Sequence, residues 1–226
     1  MCISTIFIKD LDDSISIAFN REELASRSFK DPDFFTHRNT KIIAGIDSLK
    51  GGTWLGINEN KIFCLVTNRE PSKSKIKSRG TLVLEMLARK NITDCLKHLE
   101  EETKNNTYGG FNLIFGNLKD VFYKNNTSDK VTILKKGRHF LSNSFINDQK
   151  SKRIKAMSKK CSKLTSSNFV TKMKKNLELS SLKNNYMPKT SSSIIKITKE
   201  KILWLHSSIN DDFENWHEVE TARLFK

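Results

Sequence analysis

Apolar residues in this chain come in short blocks separated by polar turns, and no run approaches the roughly 18 residues that a membrane-spanning helix needs. The blocks alternate in type along the chain. Residues 2–9 and 14–20 are rich in Ile and Phe and flank an acidic turn at Asp10, Asp12 and Asp13, the pattern of a β-hairpin. Strands are expected at 42–47, 53–58 and 62–67. Helix-favouring stretches follow at 81–88 and 93–104, the second with Leu96 and Leu99 on one face. Strands return at 111–115, 121–124, 131–134 and 140–141. A second helix pair is expected at 148–162 and 166–182. A hairpin at 193–198 and 202–206 comes next, and a last strand near 216–225. Strand blocks separated by helix pairs predict an α+β fold, an αββα sandwich of two antiparallel sheets with helices outside.

The 226 residues suit one domain spanning 1–226, because two halves would each be marginal. Four cysteines without close pairing exclude a disulfide-stapled scaffold. The formal charge of +15 attracts anionic partners in principle. The excess is mostly lysine, however, and its densest stretch, Lys150 to Lys175, has one arginine and one aromatic, Phe169. That composition reads as a solvated basic face rather than a nucleic-acid footprint, with peripheral contact to an anionic membrane left open. The apolar start has no preceding positive region and acidic residues follow at once, opposite to a signal peptide. It reads as a buried first strand, and a cytoplasmic protein is expected, with mitochondrial association if the source is eukaryotic. Nothing in the sequence points to a stable protein partner.

Walker, Gly-x-Ser-x-Gly, His-Glu-x-x-His and Cys-x-x-Cys sequences do not occur. The five histidines are far apart, so no metal site is expected. The block Gly51-Gly52-Thr53-Trp54-Leu55-Gly56 misses both phosphate-loop spacings and reads as a tight turn entering a strand. Cys2 is more informative. Removal of Met1 would place a free α-amine (pKa about 7.7–8.0) beside a thiol (about 8.5), so nucleophile and base would share one residue. The alternative is a small buried side chain at a strand start. Arg21 and Glu22 end the second strand, across the hairpin from Cys2. A cation that lowers a thiol pKa and a carboxylate that holds an ammonium are what such a site requires.

Met1-Cys2, Asn20-Arg21-Glu22-Glu23, Gly45-Ile46-Asp47, the Gly-Gly-Thr-Trp-Leu-Gly block, Thr67-Asn68, Arg79-Gly80, Gly110-Phe111-Asn112-Leu113 and Leu141-Ser142-Asn143-Ser144 follow one another in a familiar order. Together they resemble the NRDE family, which includes the transport and Golgi organization protein 2 homologues. The likeness runs from Met1 to about Asn143 and more thinly to Trp216-His217-Glu218. It implies an N-terminal-nucleophile hydrolase fold, similar to the cysteine amidases that act on bile salts and penicillin V. By that resemblance Cys2 matches the nucleophile and Arg21 the arginine beside its thiolate. Glu22 stands where the family has an aspartate that binds the α-amine. Asn68 and Asn143 line the oxyanion side, and Asn20, Glu23, Trp54 and Arg79 fall on the ligand side. Two positions depart from the family: Glu22 is one methylene longer than aspartate, and the arginine usual before the strand containing Ile194-Ile195 is missing, leaving only Lys189 to supply that charge.

Two functions are expected to compete. One is hydrolysis of an amide or thioester bond in a small acylated metabolite, with no cofactor required. The other is non-enzymatic carriage of haem or an acyl-coenzyme A, since the family is associated with haem trafficking and acyl-coenzyme A binding. Cys2, His37 and His139 are the axial groups that chemistry alone would allow for haem, and Phe34, Phe35 and Trp54 are apolar wall candidates.

Overall fold

A computed structural model describes residues 2–9, 14–69, 77–104, 107–180, 188–211 and 215–226. Among these the strands are β1 (Ile3–Ile8), β2 (Ile15–Glu22), β3 (Phe29–His37), β4 (Thr40–Asp47), β5 (Leu55–Asn58) and β6 (Phe63–Asn68), followed by helices α1 (Arg79–Leu87) and α2 (Ile92–Thr103). Then come β7 (Phe111–Gly116), β8 (Val121–Asn125), β9 (Thr132–Ile133), β10 (Gly137–Leu141), α3 (Lys152–Lys160), α4 (Phe169–Ser180), β11 (Lys189–Ile197), β12 (Ile202–Ser208) and β13 (His217–Glu218). The fold is α+β with two antiparallel sheets, as the block pattern predicts. The acidic turn expected at 10–13 lies outside the described residues.

Backbone contacts divide the chain into two compact units, Met1–Ser26 with Lys135–Val219, and Arg27–Leu134 with Glu220–Lys226. The first unit holds a six-stranded sheet in the order β10-β1-β2-β11-β12-β13. Its inner strands β1 and β2 are buried along almost their whole length, so the small polar residues Ser4, Thr5 and Ser16 lie buried among their Ile and Phe side chains. Helices α3 and α4 lay Ile154, Met157, Phe169, Met173 and Leu177 against Ile3, Ala18 and Ile194 of this sheet. Ser151 caps α3 by accepting the Ile154 N–H, and Lys159 and Lys160 sit in its last turn, where the helix dipole favours cations.

The second unit holds a seven-stranded sheet in the order β3-β4-β5-β6-β7-β8-β9. Helices α1 and α2 bury Leu82, Val83, Met86, Cys95 and Leu99 against it. Asn91 caps α2 through the Asp94 N–H at 2.9 Å. The glycine-rich motif is explained here. Asp47 N–H donates to Gly52 O at 2.8 Å and Gly51 N–H to Asp47 O at 2.8 Å, closing a tight turn in which Gly51 has φ +65°. A Cβ on Gly52 would stand 2.4 Å from the Gly80 carbonyl carbon, and one on Gly45 would stand 2.6 Å from the Trp54 ring. The block is a packing device that lets α1 approach the sheet.

Two sequence expectations change. Strand β3 was not anticipated, and the strand expected near 216–225 is only the two-residue β13 followed by a 3₁₀ turn at Thr221–Phe225. The spacing of Val219 and Leu224, both buried, suits that turn better than an alternating strand.

Candidate active site

Strand register places Cys2. Ile3 pairs with Asn20 on β2, and Ser4 pairs with Leu141 on β10. Cys2 immediately precedes β1, next to the Ile3–Asn20 pair. Ser142 Oγ donates to the Cys2 carbonyl at 3.1 Å and lies 3.4 Å from Asn143 Oδ1, so the backbone of residue 2 is tied to the end of β10. Cys2 itself is half-buried. Burial pushes its thiol up from the ordinary value and the Glu22 charge adds to the rise, while the amino-terminal charge, the Glu22 backbone N–H and, least of the three, the Arg21 charge oppose it.

Arg21 and Glu22 are both buried. Arg21 Nη1 donates to Thr190 Oγ1 at 2.9 Å, and that hydroxyl donates to the Arg21 carbonyl at 3.3 Å. Glu22 meets Arg153 of α3, with Nη2 at 2.5 Å from Oε1. Burial raises the Glu22 carboxyl, and Arg153 opposes that rise through charge and hydrogen bonding. Lys189, the residue expected to replace the missing arginine, pairs with Glu22 in the β2–β11 register. A guanidinium reaches this carboxylate from α3, out of the lysine-rich stretch that reads as a solvated face.

Asn20 is fully buried, with its Nδ2 on Leu177 O of α4 at 3.1 Å and its Oδ1 accepting from Ser192 at 2.7 Å. It ties β2 to β11 and α4. Glu23 is half-buried and its Oε1 accepts the Leu24 N–H at 3.1 Å. The other sequence-selected residues belong to the second unit. Asn68 ends β6, half-buried, paired in register with Phe111. Arg79 opens α1 and donates to Gly110 O at 3.0 Å. Trp54 is buried edge-on to Phe29, ring centroids 5.6 Å apart. A cleft of about 630 Å³ between α2 and β8 in this unit is lined by Leu96, Leu99, Lys97, Lys124 and Val131 among others, and by none of the sequence-selected residues.

Sequence reasoning missed Arg153, Thr190 and Ser142 as parts of the site. The one available signal was that Arg153 is the only arginine among the lysines of its stretch.

Two of the side chains offered as haem ligands already have hydrogen-bonding partners. His139 has Nε2 on Lys135 O at 2.7 Å and Nδ1 on Asn147 at 3.1 Å, and His37 Nε2 faces Glu85 at 3.2 Å. Among the described residues no three His, Cys, Asp or Glu side chains are grouped to hold a metal ion.

A family model described as Transport and Golgi organisation 2 matches residues 1–215. The chain belongs to this family. Transport and Golgi organization protein 2 homologues of human and mouse are 33% and 32% identical over 142 residues, 58% of this chain and 50% of theirs. This family member therefore spans about half the length of the curated relatives it matches. Among solved structures it is similar to a Caenorhabditis elegans N-acylethanolamine-hydrolyzing acid amidase ortholog, with TM-score 0.59, 12% identity, and 86% and 92% of the two chains covered. It is similar to a conjugated bile acid hydrolase variant from Clostridium perfringens, with TM-score 0.59, 10% identity, and 99% and 94% covered. A penicillin V acylase from Agrobacterium tumefaciens gives TM-score 0.54, 9% identity, and 92% and 83% covered. At these identities the likeness shows the fold alone, that of the N-terminal-nucleophile hydrolases.

Proposed function

We propose that this family member is an N-terminal-cysteine hydrolase that cleaves an amide or thioester bond in a small acylated metabolite. The observation that carries the reading is the convergence on Cys2: the Glu22 N–H is directed at its sulfur, the Arg21 charge favours its thiolate, and Ser142 ties its backbone to the end of β10 beside Asn143. The fold is shared with proteins named as an amidase, an acylase and a conjugated bile acid hydrolase, which supports an acyl substrate.

Removal of Met1 supplies the base. The freed α-amine takes the thiol proton, and Arg21 and the Glu22 N–H stabilise the thiolate. The thiolate adds to the acyl carbonyl carbon, and the Asn143 amide donates to the developing oxyanion. Collapse breaks the C–N or C–S bond, and the leaving group departs with the proton held by the α-ammonium. Water then attacks the S-acyl cysteine, giving a carboxylic acid and the original thiol. The Glu22 carboxylate, held by Arg153, is the group that receives the ammonium.

Intact mass of the purified protein, before and after incubation with an N-acyl amide or acyl thioester, tests this. Loss of Met1 and an acyl mass increment that vanishes in Cys2→Ala are expected. Quantitative retention of Met1, or equal acid release by Cys2→Ala, would overturn it. A non-catalytic acyl-coenzyme A carrier is the competing reading, and the upward push of burial on the thiol is the observation on its side. Binding without turnover that survives Cys2→Ala supports that carrier.

A further inference from the structure

The α3–α4 hairpin carries an extreme charge imbalance. From Lys150 to Lys175 the chain has ten of its forty basic residues and none of its twenty-five acidic ones, so 26 residues hold +10 of the formal +15. Folding turns this charge to one side. Both helices bury their apolar stripes against the first-unit sheet, which leaves Lys152, Lys155, Lys159, Lys160, Lys163 and Lys175 exposed. Lys155 and Lys159 stand four residues apart on α3, where like charges repel, and exposed Lys163 follows just beyond the helix. The one arginine is committed to Glu22. Among the described residues none of the nine lysines has an ion-pair partner.

The neighbouring sheet adds to the field. Arg138 of β10 donates to the carbonyls of Cys161 and Ser162, and Lys196 of β11 points its ammonium at Ser166 O, both at the connection between the helices. At the far edge Lys174 Nζ lies 5.6 Å above the ring of half-buried Trp216.

We propose that this face docks on the surface of an anionic lipid bilayer. A broad side of two adjacent helices, studded with compact ammonium groups on flexible stems, matches a plane of diffuse negative charge. A flanking tryptophan is the aromatic type that prefers the headgroup level. Nucleic acid fits less well, because the hairpin's one guanidinium is occupied and its one aromatic ring, Phe169, is buried away from bases. Bilayer anions would relieve the repulsion along α3. The docking does not require Cys2 to be catalytic.

Co-sedimentation of the full chain with vesicles of phosphatidylcholine, with and without phosphatidylserine, reads the docking. Binding only to the phosphatidylserine vesicles is expected, and it should fade as salt shortens the screening length. Each juxtamembrane lysine contributes about fivefold to partitioning, so the triple change Lys155→Gln, Lys159→Gln, Lys163→Gln should weaken it about a hundredfold. The matched triple Lys90→Gln, Lys97→Gln, Lys119→Gln on the second unit should leave it unchanged. Three results overturn the proposal: no preference for phosphatidylserine, equal loss in both triples, or tighter binding to mixed-sequence DNA than to vesicles. Salt dependence and the second-unit triple keep it testable should the first triple fold poorly.

Discussion

Replacing Arg153 by methionine asks whether α3 steers the carboxylate beside Cys2. The Glu22 side chain is 7% exposed and that of Arg153 is 32% exposed, with 2.5 Å between Nη2 and Oε1. Removing one member of a fully buried pair costs about 3–5 kcal/mol, because an uncompensated charge stays behind. Here a third of the guanidinium already meets water, which discounts the pair, and a loss of about 2–3 kcal/mol is expected at neutral pH. The pH dependence has a definite sign. Burial holds the Glu22 carboxyl above its ordinary value and Arg153 draws it down, so without Arg153 it rises further. The folded variant then binds a proton more readily than the unfolded chain. Its stability is greatest below the unfolded carboxyl value of about 4.3 and falls as pH climbs through the raised folded value. Urea titrations at about pH 4 and pH 7 should therefore show a small deficit at the lower pH and the full one at the higher. In a Glu22→Gln background the same replacement should cost under about 1 kcal/mol, since no charge remains to strand. An equal cost in both backgrounds, or one that ignores pH, would refute the coupling.

Gly45→Ala should destabilise by about 1–3 kcal/mol, because the new methyl meets the Trp54 ring at 2.6 Å, and denaturant melts should show less than the summed loss in the double change with Trp54→Leu. Asn20→Leu strands the Leu177 carbonyl and the Ser192 hydroxyl, so a loss of about 2–4 kcal/mol is expected. Amide exchange should quicken first along α4, the helix released by that change.

Local patterning exposed most of the fold. The β1–β2 hairpin follows from its Ile and Phe content, and its register pairs Ile3 with Asn20, next to Cys2 and Arg21 in the chain. Strand β3 escaped because Phe29–His37 contains Lys30, Asp31, Pro32 and Asp33. An edge strand tolerates charges and proline, and the register shifts between Lys30 and Asp33 where the proline sits. The glycine block was readable as a turn, but the Gly52–Gly80 approach joins residues from two elements and leaves no periodic trace. Asn143 needed the family resemblance, since nothing local ties it to residue 2. Arg153 lies 131 positions from its partner Glu22, amid lysines that share its charge but not its role.

The first-unit sheet also sets a schedule for synthesis. Strand β2 ends at Glu22, but its neighbour β11 begins only at Lys189, and the other flank of β1 is β10, which begins at Gly137. A ribosome adding about 5–20 residues per second takes roughly 10–30 s to get from β2 to β11. Until β10 and then β11 emerge, β1 lacks its second neighbour and β2 lacks the strand on its far side. The chain's amino end is thus open to a processing enzyme before folding encloses it, so a late-completed sheet keeps the route to a free cysteine amine open during translation.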